Sequence, residues 1–212
     1  MDLSLNIDRF LTMLAEYNLA IWPMQVVAYI MGILAIILAL RKTTYSSKIT
    51  TGILAFFWLW TAILFNYAYF SPVYKPANIF AVLFLIQGVL FIIFGMFGSS
   101  LNFHYEPGAY SIIGAVFILF SMIGYPLWGH LIGHIYPRFF AFGLTPCPLL
   151  VFTFGMLLWT DKKVPKSLLI IPVIWTLSSI IPITAGILED VLLAIAGILG
   201  TILILVRDKM LK

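Results

Sequence analysis

The sequence predicts an all-α membrane protein of seven transmembrane helices, N-terminus outside and C-terminus cytoplasmic, preceded by a short amphipathic interfacial helix. Three observations carry that expectation. Only 20 of the 212 residues are Asp, Glu, Lys or Arg. Those charges fall in the gaps between seven apolar runs, most close to the ~20 residues an α-helix needs to cross a ~30 Å hydrocarbon core. The chain is 63% hydrophobic with a mean hydropathy of +1.10, well above the roughly 45–50% apolar usage of soluble domains.

The elements follow in order. Residues 1–18 set Leu3, Ile7, Phe10, Leu11 and Leu14 at helical spacing, with Asp2, Asn6, Asp8, Arg9 and Glu16 elsewhere. That pattern predicts a helix lying in the membrane interface. The acids Asp2 and Asp8, standing where a positive n-region would sit, argue against a cleavable signal peptide. The spans are expected at 19–40, 49–71, 77–98, 109–135, 146–160, 167–186 and 188–206. They form one transmembrane domain over 19–206, with 207–212 as a basic cytoplasmic tail. Pro126 is expected to kink the fourth span by removing a backbone hydrogen bond. Gly143, Pro146 and Pro148 give the short fifth span a tilted or re-entrant start.

Orientation follows from the Lys/Arg count in the short loops. With seven spans, one side receives Arg41, Lys42, Lys48, Lys162, Lys163, Lys166, Arg207, Lys209 and Lys212. The other receives Arg9, Lys75 and Arg138. The positive-inside rule makes the first side cytoplasmic. The same bias explains the net charge of +4 without nucleic acid, since no basic patch exists outside the loops.

On this topology the reactive side chains gather at the outer face. His130 and His134 end span 4, Cys147 starts span 5, and Glu189 and Asp190 lie between spans 6 and 7. Glu16, Asn18, Gln25, Asn66, Ser178 and Thr184 lean the same way. Polar groups at membrane depth are costly and face a bundle interior or a wet cavity, so an outward-facing vestibule is expected. His130 and His134, at i and i+4, would share one helix face if the span were helical throughout. Two imidazoles, the Cys147 sulfur and the Glu189/Asp190 carboxylates would suit a transition-metal ion. Thr145 as N-cap and Pro146 at N1 would put Cys147 in a first turn. The plainer readings stand beside these: interfacial histidines, a small buried cysteine, and a solvated acidic turn. Trp58 and Trp60, mid-span, are expected to pack.

Several chemistries lack their parts. His104 falls in the inner loop before span 4, 26 residues and ~39 Å of helical rise from His130, so a three-histidine zinc site cannot form. There is no G-x-x-x-x-G-K-[ST], G-x-S-x-G or C-x-x-C, and no lysine inside a span.

The segments Tyr17-Asn18-Leu19-Ala20-Ile21-Trp22-Pro23-Met24-Gln25 and Gly143-Leu144-Thr145-Pro146-Cys147-Pro148 together resemble one family. It is a group of prokaryotic multi-span membrane proteins with a domain of unknown function. The likeness runs from about Tyr17 through span 7 and takes in Gly129-His130 to Tyr136-Pro137 and Glu189-Asp190. It implies the inner (plasma) membrane and no particular activity. The expected partners are the lipid bilayer and a small solute or metal ion, with a second copy or another subunit left open. The first functional expectation is a protein that binds or transports such a solute from the outer side. One alternative is a membrane-embedded enzyme with Cys147 as nucleophile and a histidine base. Another is a structural subunit of a membrane complex.

Overall fold

The computed structural model describes residues 6–41, 43–184 and 186–211. Asp2 and Leu3 of the amphipathic segment, and Lys42 and Lys212 of the charge count, lie outside the described residues. Among the described residues eight helices follow one another: α1 Ile7–Ala20, α2 Met24–Leu40, α3 Ser46–Val73, α4 Ala77–Phe97, α5 Ala109–Leu131, α6 Pro146–Leu158, α7 Ser167–Thr184 and α8 Glu189–Met210. Among the described residues no strand forms; Phe103 and Thr160 make one isolated antiparallel bridge.

Five of these helices, α3, α4, α5, α7 and α8, are long and apolar enough to cross a membrane alone. α1 and α2 meet at 80° and together make a sixth candidate. The expected fifth span, α6, has 13 residues, about 20 Å of helix, which is short of a bilayer core. The reason is visible in its surroundings. Every residue of 140–160 is buried, so α6 is a central strut wrapped by other helices and never faces lipid. A helix apolar on all sides requires such a place. α5 and α8 pack on it most closely, and Gly114 and Gly155 make the α5 contact by bringing backbones together.

α1 departs from the expected interfacial helix. Asn6 caps it, its Oδ1 accepting from Arg9 N at 3.0 Å. Its apolar face, Phe10, Met13, Leu14 and Tyr17, is buried against the bundle rather than turned to lipid. π-helical stretches occur at Thr61–Phe70, Ile92–Phe97 and Phe120–Gly124, so the backbone bonds widen locally to i→i−5, as from Gly98 N to Ile93 O (2.8 Å). The last of these stretches lies in α5 just before Pro126, the expected kink site because its N–H is missing.

Hydrogen bonds sort the chain into two ends. At one, Tyr105 N donates to Ala39 O, His104 N to Trp159 O, and Ser47 Oγ to Asn102 Oδ1. Arg207 is buried there, donating through Nη1 to Leu157 O at the end of α6 (2.7 Å) and through Nε and Nη2 to Asp208. Residues 207–210 are therefore the last turn of α8 and not a tail: the guanidinium is needed inside, on a carbonyl of a buried helix end that Thr160 also bonds. This basic end also holds Lys162, whose Nζ donates to Ser99 O (2.7 Å). The opposite end collects the C-terminus of α1, the 132–145 segment and the start of α8.

The 132–145 segment enters the bundle without helical structure. Backbone at such depth needs partners from the protein. Asn18 Nδ2 donates to both Pro137 O and Phe139 O (2.7 Å each), and Tyr17 Oη donates to Leu144 O (2.6 Å). Thr145 Oγ1 donates to Ala141 O (2.9 Å), and Gln25 Nε2 to Asn18 O (2.7 Å). The two sequence segments singled out above thus meet: the first holds the second in place.

Candidate functional site

α8 starts with two consecutive buried acids, Glu189 (0% exposed) and Asp190 (3%). A helix start suits carboxylates because its free N–H groups carry partial positive charge. Neighbouring helix positions diverge by about 100°, and the acids accordingly find different partners. Glu189 Oε1 is hydrogen-bonded to His134 Nδ1, while Glu189 Oε2 has no hydrogen-bond partner. Asp190 Oδ1 accepts from the Tyr125 hydroxyl on α5 at 2.9 Å. The Cys147 sulfur, in the first turn of α6, lies against Asp190, Tyr125 and Trp175. The Trp175 indole N–H beside it meets no acceptor in hydrogen-bonding geometry.

Cys147 and Asp190 open onto a cavity of ≈ 40 Å³ between α1, α3, α7 and α8. That is room for about three waters, or a solute of a few heavy atoms. Ser178, Ser179 and a set of aromatic rings complete its wall.

The structure separates the two histidines. α5 ends at Leu131 and Gly133 takes φ +95, a left-handed conformation that glycine adopts without a Cβ clash. Gly133 N donates to His130 O and His134 N to Gly129 O (2.8 Å), the paired bonds that close a helix C-terminus. His134 is thereby turned inward to Glu189, while His130 on the last turn is exposed. The i, i+4 spacing never becomes a shared helix face. Among the described residues no group of three His, Cys, Asp or Glu side chains could hold a metal ion. The expected five-residue ligand set is therefore divided: Glu189 with His134, Asp190 with Cys147, and His130 apart.

The expected vestibule divides too. Ser178 lines the cavity. Asn18 and Gln25 are buried but serve the backbone, and Asn66 Nδ2 donates to Thr61 O (3.2 Å) within π-helical α3. Glu16 is exposed and borders a separate groove with Asp8 and Arg9, and Thr184 is exposed as well. Thr145 does stand at the start of α6, but its hydroxyl bonds Ala141 O instead of capping. His104 lies at the basic end, 3.8 Å from Glu106. Trp58 is fully buried and donates to Thr153 Oγ1 (3.1 Å), and Trp60 donates to Tyr17 Oη (2.9 Å).

Tyr125 and Trp175 are site residues that the sequence reading passed over. A tyrosine beside Pro126 in an apolar span carries a usable signal, because its hydroxyl needs a partner once buried.

The His134–Glu189 pair makes a prediction. His134→Ala leaves a fully buried carboxylate with no partner, and is expected to destabilise the fold by about 1–3 kcal/mol. His134→Ala/Glu189→Gln should recover much of that loss in detergent melting curves. A double variant no more stable than His134→Ala would refute the pairing.

No curated protein and no solved structure matches the chain. A family pattern does, over residues 7–212, which takes in the α1 segment, the 132–145 segment and both acids. With nearly the whole described fold inside that match, the chain belongs to the family of unknown function DUF6064.

Proposed function

We propose that the protein is a solute-binding membrane protein of the inner membrane that takes a small molecule into the cavity beside Asp190 from the outer face. On this reading the chain crosses seven times, with α1 at the outer surface, α6 as the short central crossing and the C-terminus in the cytoplasm. The Lys/Arg asymmetry between the two ends supports that orientation. The observation that carries the function is a small, partly open cavity at the acidic end with a sulfur and a carboxylate both in its wall. Buried ionisable groups in membrane spans commonly mark solute or proton paths. Glu189 and His134, next along α8 and in the adjoining segment, form a second, part-buried ionisable pair at the same end.

A Cys147 nucleophile with a histidine base is less well supported. The neighbours of the sulfur are Asp190, Tyr125 and Trp175, with no imidazole among them.

Cys147 itself reports on the cavity. Methyl methanethiosulfonate, a few heavy atoms in size, is expected to modify Cys147 in the folded protein in detergent, whereas a bulky maleimide should not. The readout is the mass of the intact protein. A thiol that resists the small reagent until the protein is unfolded overturns the solute reading.

A further inference from the structure

Seven of the side chains around the ≈ 40 Å³ cavity are aromatic, drawn from α1, α3, α4, α7 and the 132–145 segment. They form a continuous wall rather than isolated contacts. Phe10 packs on Phe70 at 5.4 Å between centroids and on Phe140 at 6.0 Å, and Phe70 stacks on Tyr74 at 5.3 Å. Across from them stands the indole of Trp175, held edge-on by Phe80 at 4.7 Å.

Asp190 is the one acidic or basic side chain in that wall. Among the described residues neither Asp190 nor Glu189 has a Lys or Arg within ion-pair distance; His134, on Glu189, is the sole basic contact of the two. Of these two carboxylates in an apolar interior, only Glu189 meets the imidazole. Asp190 is held by the Tyr125 hydroxyl (2.9 Å) and the Cys147 sulfur, and among the described residues no cationic side chain pairs with it.

Each kind of solute meets this wall differently. An anion is repelled by the carboxylate and by the negative faces of the rings. A metal ion finds Asp190 and Cys147 as donors, fewer than the three or more protein ligands it ordinarily takes. A neutral apolar solute makes no use of Asp190. A cation with N–H donors satisfies both elements at once, donating to the carboxylate and lying among aromatic rings, which attract cations within ~6 Å. The volume suits a solute of a few heavy atoms.

We propose that the cavity binds a small ammonium-type cation, the size of ammonium or methylammonium, whose N–H groups bond Asp190 and whose charge is faced by Phe10, Phe70, Phe140 and Trp175. This rests on the solute-binding reading above and specifies its chemistry.

Saturation-transfer NMR on the detergent-solubilised full chain tests it with methylammonium, and with methanol as a neutral probe of the same heavy-atom count. Methylammonium is expected to bind at least about tenfold more tightly than methanol. Asp190→Asn, which keeps shape and can still accept from Tyr125, should reduce methylammonium binding about tenfold or more, as expected for loss of a charge-assisted hydrogen bond. Methanol binding should be left nearly unchanged. Selectivity in the wild-type protein needs no variant, so a misfolded Asp190→Asn does not blunt the test. Equal binding of the two probes, with Cys147 still open to the small thiol reagent, overturns the cation assignment alone. Neither probe binding a protein whose Cys147 is sealed overturns the solute reading with it.

Discussion

Gly155→Leu is expected to separate α5 from α6 and to cost the protein about 3 kcal/mol or more. A Cβ at Gly155 would lie 2.8 Å from Gly114 O, 2.8 Å from Ile118 Cγ1 and 3.0 Å from Ile118 N. Two of those three atoms are backbone, so no rotamer change relieves the contact and the helices must move apart. Overpacking in cores costs about 1–3 kcal/mol and occasionally more, and here the residue sits in a helix buried on every side. Helices in lipid gain little from apolar burial against each other and depend on this kind of close packing. Gly88→Ala is the matched comparison. Its Cβ would meet Leu59 Cδ2 and Cγ at 2.7 Å, the end of a side chain that can turn, and the cost should be about 1 kcal/mol. Size-exclusion profiles after graded heating would rank the two, and a Gly155→Leu protein melting with the wild type would disprove the close approach.

Asn18→Leu is expected to be nearly as damaging, at about 2–4 kcal/mol, although leucine is the more hydrophobic residue. The amide donates at once to Pro137 O and Phe139 O, and each buried carbonyl left without a donor costs about 1–3 kcal/mol. The consequence should reach beyond stability. Loosening the 132–145 segment frees the entry to α6, so Cys147 should become reactive toward the bulky maleimide that the native protein excludes. Tyr17→Phe removes the donor to Leu144 O and the acceptor for Trp60. Asn18→Leu without any change in melting or in maleimide access would mean that other contacts hold the segment.

Much of this could be read in advance, and the misses have physical causes. All seven apolar runs became helices, because a long apolar stretch in a chain this poor in charge has few other ways to satisfy its backbone. Trp58 packs, as its mid-span place implied. The partition of Lys and Arg between two ends is visible in which loops bond to which. The pairing of His130 with His134 failed for a reason written in the chain itself: Gly133 stands between them and ends the helix. The separate placement of Glu16 and Thr184 could not be foreseen, since leaning toward one membrane face does not say which way a side chain turns around its helix.

Sequence by itself determined the class of the protein, the helical runs and the gathering of acids, a cysteine and a histidine toward one end. Those follow from hydropathy and charge, which act residue by residue along the chain. Only the tertiary structure decided that α6 is buried all round, that Tyr17 and Asn18 hold the 132–145 segment, and that Asp190 faces a small cavity walled by aromatic rings. Those depend on rotation about helix axes and on contacts more than a hundred residues apart, such as Asn18 with Phe139. Side-chain packing selects such contacts, and a linear pattern of polarity does not encode them.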